Sequence, residues 1–456
     1  MSDWLLPLAI TLTMCCAALL AWRKLHPVSL WLCLGYPLKA ITVYFTWGNV
    51  AHGCTLTRKR RRWRSTLDGL PVVGNATIAL TQKRRVRRVD VDKAPRLGLI
   101  RPHRLGFRVN VKLMDGQTPD DYTARLSNLA HAWRVHSVRL AAWKPGRVTL
   151  LATTGDPLSD VRTPVLSEGL LRVRVGVLET GAPWVLDFRT VPHWLNTGAT
   201  QSGKSTLLNA LITGLAAQPV ALVGFDLKGG VELTPYGPRL SAMATERAEC
   251  VGLLDDLICL VKQRMALCRT HTVRNVWKLP EHLRPMPVVV LVDEVAELFL
   301  MAHKGERDEI AQTATALLRL AQLGRAFGIY LFVCGQRVGS DLGPGVTALR
   351  SQLSGRVCHR VNDPETATMT LGDTDPAALD AARQIAANMP GTAIVVGEDG
   401  RWYRARSVYV AEEAAESAAL AHAHLAPKWA DLLTGPADIT VTDAELEELA
   451  RETEPA

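Results

Sequence analysis

The sequence predicts an α/β protein whose main domain is built on a mainly parallel sheet, and three observations carry that expectation. Short apolar runs alternate with helical patterns between residues 191 and 334; one run opens into a glycine-rich loop and a helix; another ends in two carboxylates. Strands that alternate with helices pair in parallel, because a crossover segment must bring the chain back before the next strand starts in the same direction.

The first strand is expected over Val191-Pro-His-Trp-Leu-Asn-Thr197. The loop after it, Gly198-Ala199-Thr200-Gln201-Ser202-Gly203-Lys204-Ser205-Thr206, fits G-x-x-x-x-G-K-S/T at every fixed position, so these nine residues are the expected phosphate cradle. Glycines let successive amide N–H groups turn toward phosphate, Lys204 reaches the β/γ oxygens and the Ser205 hydroxyl is placed to ligate Mg²⁺. Thr206 to Leu215 has helical apolar spacing, and a helix starting near Lys204 adds its positive dipole end to the anion site. Further elements are expected as a strand over Val220–Asp226, a helix over Thr245–Cys268, a strand over Pro287–Asp293, a helix over Arg307–Ala326 and a strand over Gly328–Cys334. The third of these strands runs Val288-Val-Val-Leu-Val-Asp293-Glu294. It reads as a buried strand that offers Asp293 to Mg²⁺ and Glu294 to the attacking water; a structural strand with an acidic end is the plainer reading. ATP and Mg²⁺ are the expected cofactors.

Composition bounds the rest. A chain of 456 residues has room for two or three domains, and 48% hydrophobic content is high for a protein wholly in water. Trp4 to Trp22 carries no charge over nineteen residues, enough to span most of a hydrocarbon core; Val28 to Val50 is a second apolar run, interrupted by Pro37 and Lys39. One or two spans are open, with an interfacial helix as the alternative for the second. The cluster Arg58-Lys-Arg-Arg-Arg-Trp-Arg64 places the following domain on the cytoplasmic side. Fifteen Lys/Arg stand against three Asp/Glu between Arg58 and Arg104, which fits membrane topology, anionic lipid or a nucleic-acid backbone. Eleven acidic residues against two basic ones from Ala411 onward make an acidic tail, with a short amphipathic helix near Asp443. Nine cysteines form no C-x-x-C pair, and the twelve histidines form no zinc spacing, so no metal beyond Mg²⁺ is expected.

The order of motifs resembles the FtsK/SpoIIIE family of membrane-tethered DNA translocases over residues 165–405. The resemblance rests on Pro192-His193 before the loop, on Asp226-Leu-Lys228 with Val-Glu232-Leu, on Arg274-Asn275, on Asp293-Glu-Val-Ala-Glu-Leu298, on Gly324-Arg325-Ala-Phe-Gly328-Ile329 and on Gln336-Arg337. It implies a RecA-like core, assembly as a homo-oligomer (in this family a hexamer) and double-stranded DNA as partner. It also implies a role for Gln336 as γ-phosphate sensor and for Arg356 as the finger offered to a neighbouring subunit, with Arg325 and Arg360 as competitors. Two departures stand out. Asp363-Pro-Glu365-Thr-Ala-Thr-Met-Thr370 lacks the arginine that the family usually carries after the strand following the finger, a residue that helps grip DNA; and no winged-helix module is expected after Arg406, so recognition of particular DNA sites falls to a separate protein or to the unassigned unit at 95–164.

The expected organisation is a membrane-anchoring segment (1–50), a basic juxtamembrane linker (51–94), a small α/β unit (95–164), a motor (165–410) and the acidic tail (411–456). With two tryptophan-rich runs, one motor and no reader module, the layout resembles the transfer proteins of actinobacterial conjugative elements. A cell-membrane duplex-DNA translocase serving conjugation is therefore expected; chromosome segregation and protein export of the type VII kind are the alternatives.

Overall fold

The computed structural model describes residues 13–434, except 15–16, 19, 23, 69–82, 162, 301–302, 340–341, 344, 373–374 and 398–399. The run Trp4–Trp22 falls largely, and the helix expected near Asp443 wholly, outside the described residues. The chain divides into two compact units, residues 1–157 and 158–456.

In the first unit, strands β1 (Arg58–Asp68) and β2 (Lys83–Lys93) pair antiparallel, with Arg58 opposite Lys93, where the sequence reads as a linker. A run so dense in arginine has no apolar alternation to announce pairing. Strands β3 (Arg96–His103), β4 (Gly106–Lys112), β5 (Ser137–Lys144) and β6 (Arg147–Thr153) form an antiparallel sheet in the order β3-β4-β6-β5. Along β4, Phe107, Val109 and Val111 are buried while Arg108 and Lys112 are exposed, which is the alternation of a sheet covered on one face. The covering layer holds helices Pro119–Thr123 and Leu126–Trp133 and also the helix Tyr36–Gly53, whose Val43, Trp47 and Ala51 are buried against the same core.

The second apolar run of the sequence is therefore part of this unit's wall. Val28–Gly53 is long and apolar enough to cross a membrane, yet it is stitched to the sheet. Trp31 Nε1 donates to the carbonyls of His103 and Gly106 (3.1 Å each), the Tyr36 hydroxyl to Ile100 O (2.9 Å) and Trp47 Nε1 to Pro95 O (2.6 Å). Its opposite side leaves Leu38, Ile41 and Phe45 at 67%, 56% and 79% exposure.

The second unit carries an eleven-stranded sheet. Its strands are β7 (Leu166–Gly169), β8 (Arg172–Leu178), β9 (Pro183–Asp187), β10 (His193–Thr197), β11 (Ala221–Phe225), β12 (Ala242–Ala244), β13 (Val288–Val292), β14 (Ile329–Gly335), β15 (Gly355–His359), β16 (Thr392–Val396) and β17 (Trp402–Ser407). The order is β12-β11-β13-β14-β10-β15-β16-β17-β8-β7, with β9 paired to β8. The run from β12 to β15 is parallel, as the alternation of strands and helices predicts. From β15 onward it turns antiparallel, an extension that the pattern of the motor did not announce.

Every residue of β10, β11, β13 and β14 is buried, as strands covered on both faces require. Helices Arg247–Thr270 and Arg307–Phe327 close one face and Lys204–Ala216 with Glu412–Ala421 the other. Two arginines hold this layer from inside. Arg239, fully buried, donates to the carbonyls of Ala216, Gln218 and Val220, and Arg264 to those of Phe327, Gly328 and Met286. They satisfy carbonyls at two helix ends and in the connections that lead into β11 and β13, which would otherwise be orphaned in the core.

Candidate nucleotide site

Ligands of open α/β sheets bind beyond the carboxyl ends of the parallel strands, and this is where the loop after β10 lies. The loop is anchored by its own amides: Gly198 N–H donates to Gly335 O (3.3 Å), Ala199 N–H to Arg360 O (2.9 Å) and Ser202 N–H to Ala199 O (3.1 Å). Gln201 (φ 61°) and Gly203 (φ 104°) adopt left-handed backbone, and the helix Lys204–Ala216 starts at once after Gly203. A Cβ on Gly203 would sit 2.1 Å from the Gly391 nitrogen, whose N–H donates to Ser202 O. Gly203→Ala is therefore expected to cost about 1–3 kcal/mol and to lose nucleotide binding, read by chemical denaturation and by nucleotide titration.

A cleft of about 300 Å³ opens over this loop. Of the residues expected from sequence, Gly198, Ala199, Thr200, Gln201, Gly203, Lys204, Ser205, Thr206, Asp293 and Gln336 line it; Lys228, Glu232 and Pro390 join them. Ser202 is buried beneath the loop. Glu294 stands just behind, with Oε2 3.2 Å from Lys204 Nζ and Oε1 accepting the backbone N–H of Gln336 at 3.1 Å. One carboxylate thus ties the loop lysine to the end of β14.

Lys228 joins the site without a role assigned to it from the sequence. Its Nζ lies 3.2 Å from Asp293 Oδ2 and 3.6 Å from Glu294 Oε2. Burial alone would lower its pKa, but the charges of Asp293 and Glu294 outweigh it and raise the value. Glu232, on the same loop, is raised by burial and by the Asp293 charge, with Lys228 opposing. Asp226, fully buried at the end of β11, accepts the N–H groups of Lys228, Glu232 and Leu233 and so fixes the loop that presents Lys228. Asp226, Lys228 and Glu232 all stand in the motif stretch quoted above, and that spacing is the signal that could have found them.

Lys228→Met leaves Asp293, 3% exposed, without its cation. The expected loss is about 1–2 kcal/mol, below that of a fully buried pair because the lysine side chain is 35% exposed. Because the folded-state pKa is raised, this contribution is complete below the ordinary lysine range and disappears as pH rises through the raised value. Denaturation curves of the two proteins are therefore expected to differ at neutral pH and to converge in strong alkali.

Arg356 is not in the cleft. It lies near the start of β15, opposite Leu195 of β10, with Nη2 donating to its own chain's Arg350 O and Nη1 buried with no hydrogen-bond partner among the described residues. Burial, then the charge of Arg350, lowers its pKa to about 10. Of its competitors, Arg360 hydrogen-bonds Thr200 O of the loop in the same chain (3.3 Å). His193 and His359 are fully buried, their pKa values pushed down to about 3 and about 4, so both are neutral packing groups.

The donor set fits Mg²⁺: an exposed Ser205 hydroxyl and the Asp293 carboxylate are hard oxygens on one cleft, and among the described residues no group of three or more His, Cys, Asp or Glu forms a rival metal site.

A phosphate-cradling loop after β10, a carboxylate pair just after β13 and a glutamine at the end of β14 define a P-loop ATPase, and the chain belongs to the FtsK/SpoIIIE family, whose profile it matches at residues 165–282 and 277–340. Within it, the chain is an actinomycete conjugal transfer protein homologue: residues 18–154 match the family described as actinomycete conjugal transfer protein N-terminal domain. It is 40% identical to Transfer protein TraSA of Streptomyces ambofaciens over 397 residues, 84% of this chain and 92% of the relative. It is 27% identical to DNA translocase FtsK of Haemophilus influenzae over 299 residues, 56% of this chain and 55% of the relative. In fold it is similar to the pCW3 conjugation coupling protein TcpA, with TM-score 0.51 and 21% identity over 70% of this chain and 90% of that one.

Proposed function

We propose that this chain is a membrane-anchored, ATP-driven translocase of double-stranded DNA that works in conjugal transfer. The observation that carries the reading is the convergence of Lys204, Ser205, Asp293, Glu294 and Gln336 on one cleft in a chain with a transfer-protein N-terminal domain.

The side chains support hydrolysis by exchange of partners. Phosphate oxygens entering the cradle compete for Lys204, which releases Glu294 to orient a water for in-line attack at the γ-phosphate. Asp293 and Ser205 would hold Mg²⁺, which when bound neutralises charge on the phosphate oxygens. Because Glu294 also accepts the Gln336 N–H, loss of the γ-phosphate is transmitted to the end of β14 through a single carboxylate. Arg356 would act on the cleft of a neighbouring copy in a ring by swinging its buried Nη1 out of its own chain, and neutralising transition-state charge there makes hydrolysis depend on assembly.

Anchoring falls to the run Trp4–Trp22, with the outer apolar side of Val28–Gly53 against the bilayer and the motor in the cytoplasm. The test is ATP hydrolysis by the full chain in detergent, with and without long duplex DNA, at two salt concentrations. Strong, salt-sensitive stimulation is expected. Hydrolysis indifferent to DNA would overturn the DNA reading in favour of protein export.

A further inference from the structure

The four-stranded sheet of the first unit has two unlike faces. On one, Phe107, Val109, Val111, Val148 and Leu150 are buried under helices that include Tyr36–Gly53. On the other, strand register assembles cations. Arg96 pairs with Lys112, Lys112 with Arg147 and Arg147 with Lys144, which makes one row of four across all four strands. A second row runs Arg101, Arg108, Leu151, Arg139; Leu151 is buried and Arg139 half-buried, so its open cations are Arg101 and Arg108. The four strands contain no aspartate or glutamate.

Strands about 4.8 Å apart make this face roughly 14 Å wide, and the two rows, four residues apart along β4, lie roughly 13 Å from each other. Between them sit small or uncharged residues: Gly98, Asn110 and Thr149, the last donating to Asn110 Oδ1 at 2.8 Å. At the Arg96–Lys112 end the face continues into a cleft of about 280 Å³ whose walls add Arg58, Lys59 and Lys93 against one carboxylate, Asp115. The local field is registered by His103 at the opposite end, whose pKa is lowered by burial and then by the Arg108 and Arg104 charges.

We infer that this outer sheet face is a second nucleic-acid contact, which holds backbone phosphates of duplex DNA without reading base sequence. Its shape and chemistry suit an extended polyanion. A duplex presents one negative charge per 1.7 Å of axis, so about eight phosphates pass over roughly 14 Å, matched by two separated rows of cations and a centre small enough for close approach. A four-stranded face roughly 14 Å wide is too broad to enter a major groove that admits a helix or a two-stranded ribbon, so its cations meet phosphates rather than base edges. An anionic lipid surface is the weaker fit, because the exposed apolar stripe of Leu38, Ile41 and Phe45 lies on the other side of the sheet, and a bilayer that takes up that stripe leaves the cationic face turned away from it.

The inference rests on the reading of this chain as a duplex-DNA motor. It is tested by anisotropy titration of a labelled random-sequence duplex with full-length protein in detergent, over about 50 to 200 mM salt. The comparison is with the triple variant Arg108→Gln/Lys112→Gln/Arg147→Gln, changed at exposed positions outside the ATPase machinery. The expected result is a log–log salt slope shallower by about 2 to 3 and affinity reduced more than about tenfold, with DNA-independent ATP hydrolysis unchanged. Arg108→Lys/Arg147→Lys is expected to bind as the parent does, which separates charge from folding.

An unchanged slope in the triple variant, while duplex still stimulates hydrolysis, overturns the sheet contact alone. Loss of binding to phosphatidylglycerol vesicles with DNA binding intact overturns it in favour of lipid. A parent protein that neither binds duplex nor is stimulated by it overturns the motor reading itself.

Discussion

Lys204→Ala is expected to abolish ATP hydrolysis while leaving the protein folded. The lysine is the only cation of the loop Gly198–Thr206, and its loss removes a charge aimed at the β/γ oxygens, a deficit of at least about 10²–10³ in rate from one such group. The fold is expected to survive because Lys204 caps no helix and because Glu294 keeps two partners, the Gln336 N–H at 3.1 Å and Lys228 at 3.6 Å. Phosphate release at saturating ATP measures the first part, and a thermal melt measures the second. Nucleotide that binds the native state raises the melting temperature of the parent, and it is expected to leave the variant unmoved. Hydrolysis within tenfold of the parent, in a variant that melts normally, would remove this cleft from the chemistry.

The network around Lys204 sharpens that expectation. Asp293 and Glu294 are 3% and 6% exposed, and two such carboxylates are tolerable only because Lys204 and Lys228 lie among them. Lys228→Met disturbs stability because it strips Asp293; Lys204→Ala disturbs chemistry because it empties the cradle of charge. The same four groups therefore separate into two assays.

Much of this was legible beforehand, for physical reasons that differ by element. The parallel strands announced themselves because burial on both faces demands unbroken runs such as Val288–Val292. The loop was legible because few sequences can turn amides inward and follow them at once with Lys204. Three features were hidden. The antiparallel extension β16-β17-β8 has strands of mixed polarity, such as Trp402–Ser407 with Arg404 and Arg406, and no helix between β16 and β17 to mark it. Nothing in the local sequence marks Arg239 and Arg264 as core residues, since most of the carbonyls they satisfy come from distant segments. The helix Tyr36–Gly53 is apolar on both sides, and composition alone cannot tell lipid from the sheet core that Val43, Trp47 and Ala51 fill. A fragment starting near residue 95 would thus discard part of that core.

Arg356→Ala is expected to lower hydrolysis by about 10³ or more when tested alone, the scale on which an arginine supplied to a transferred phosphoryl group acts. Arg356 lines no part of its own chain's cleft, so any direct action must be on another copy. Its guanidinium donates from Nη2 to the Arg350 carbonyl, and Nη1 is buried with no partner among the described residues, so action in trans requires the side chain to swing out. Mixing makes the claim specific. An Arg356→Ala subunit keeps an intact cradle, and a Lys204→Ala subunit keeps an intact finger, so mixed rings contain interfaces where an intact cradle meets an intact arginine. Activity is expected to reappear on mixing two separately inactive preparations and to peak near equal proportions. A merely structural Arg356 predicts something else: leaving Arg350 O unsatisfied would cost about 1–3 kcal/mol in the variant's own melt, and no partner could restore the rate. Reduced stability without complementation would therefore return Arg356 to the core and transfer the search to Arg325, on the helix Arg307–Phe327.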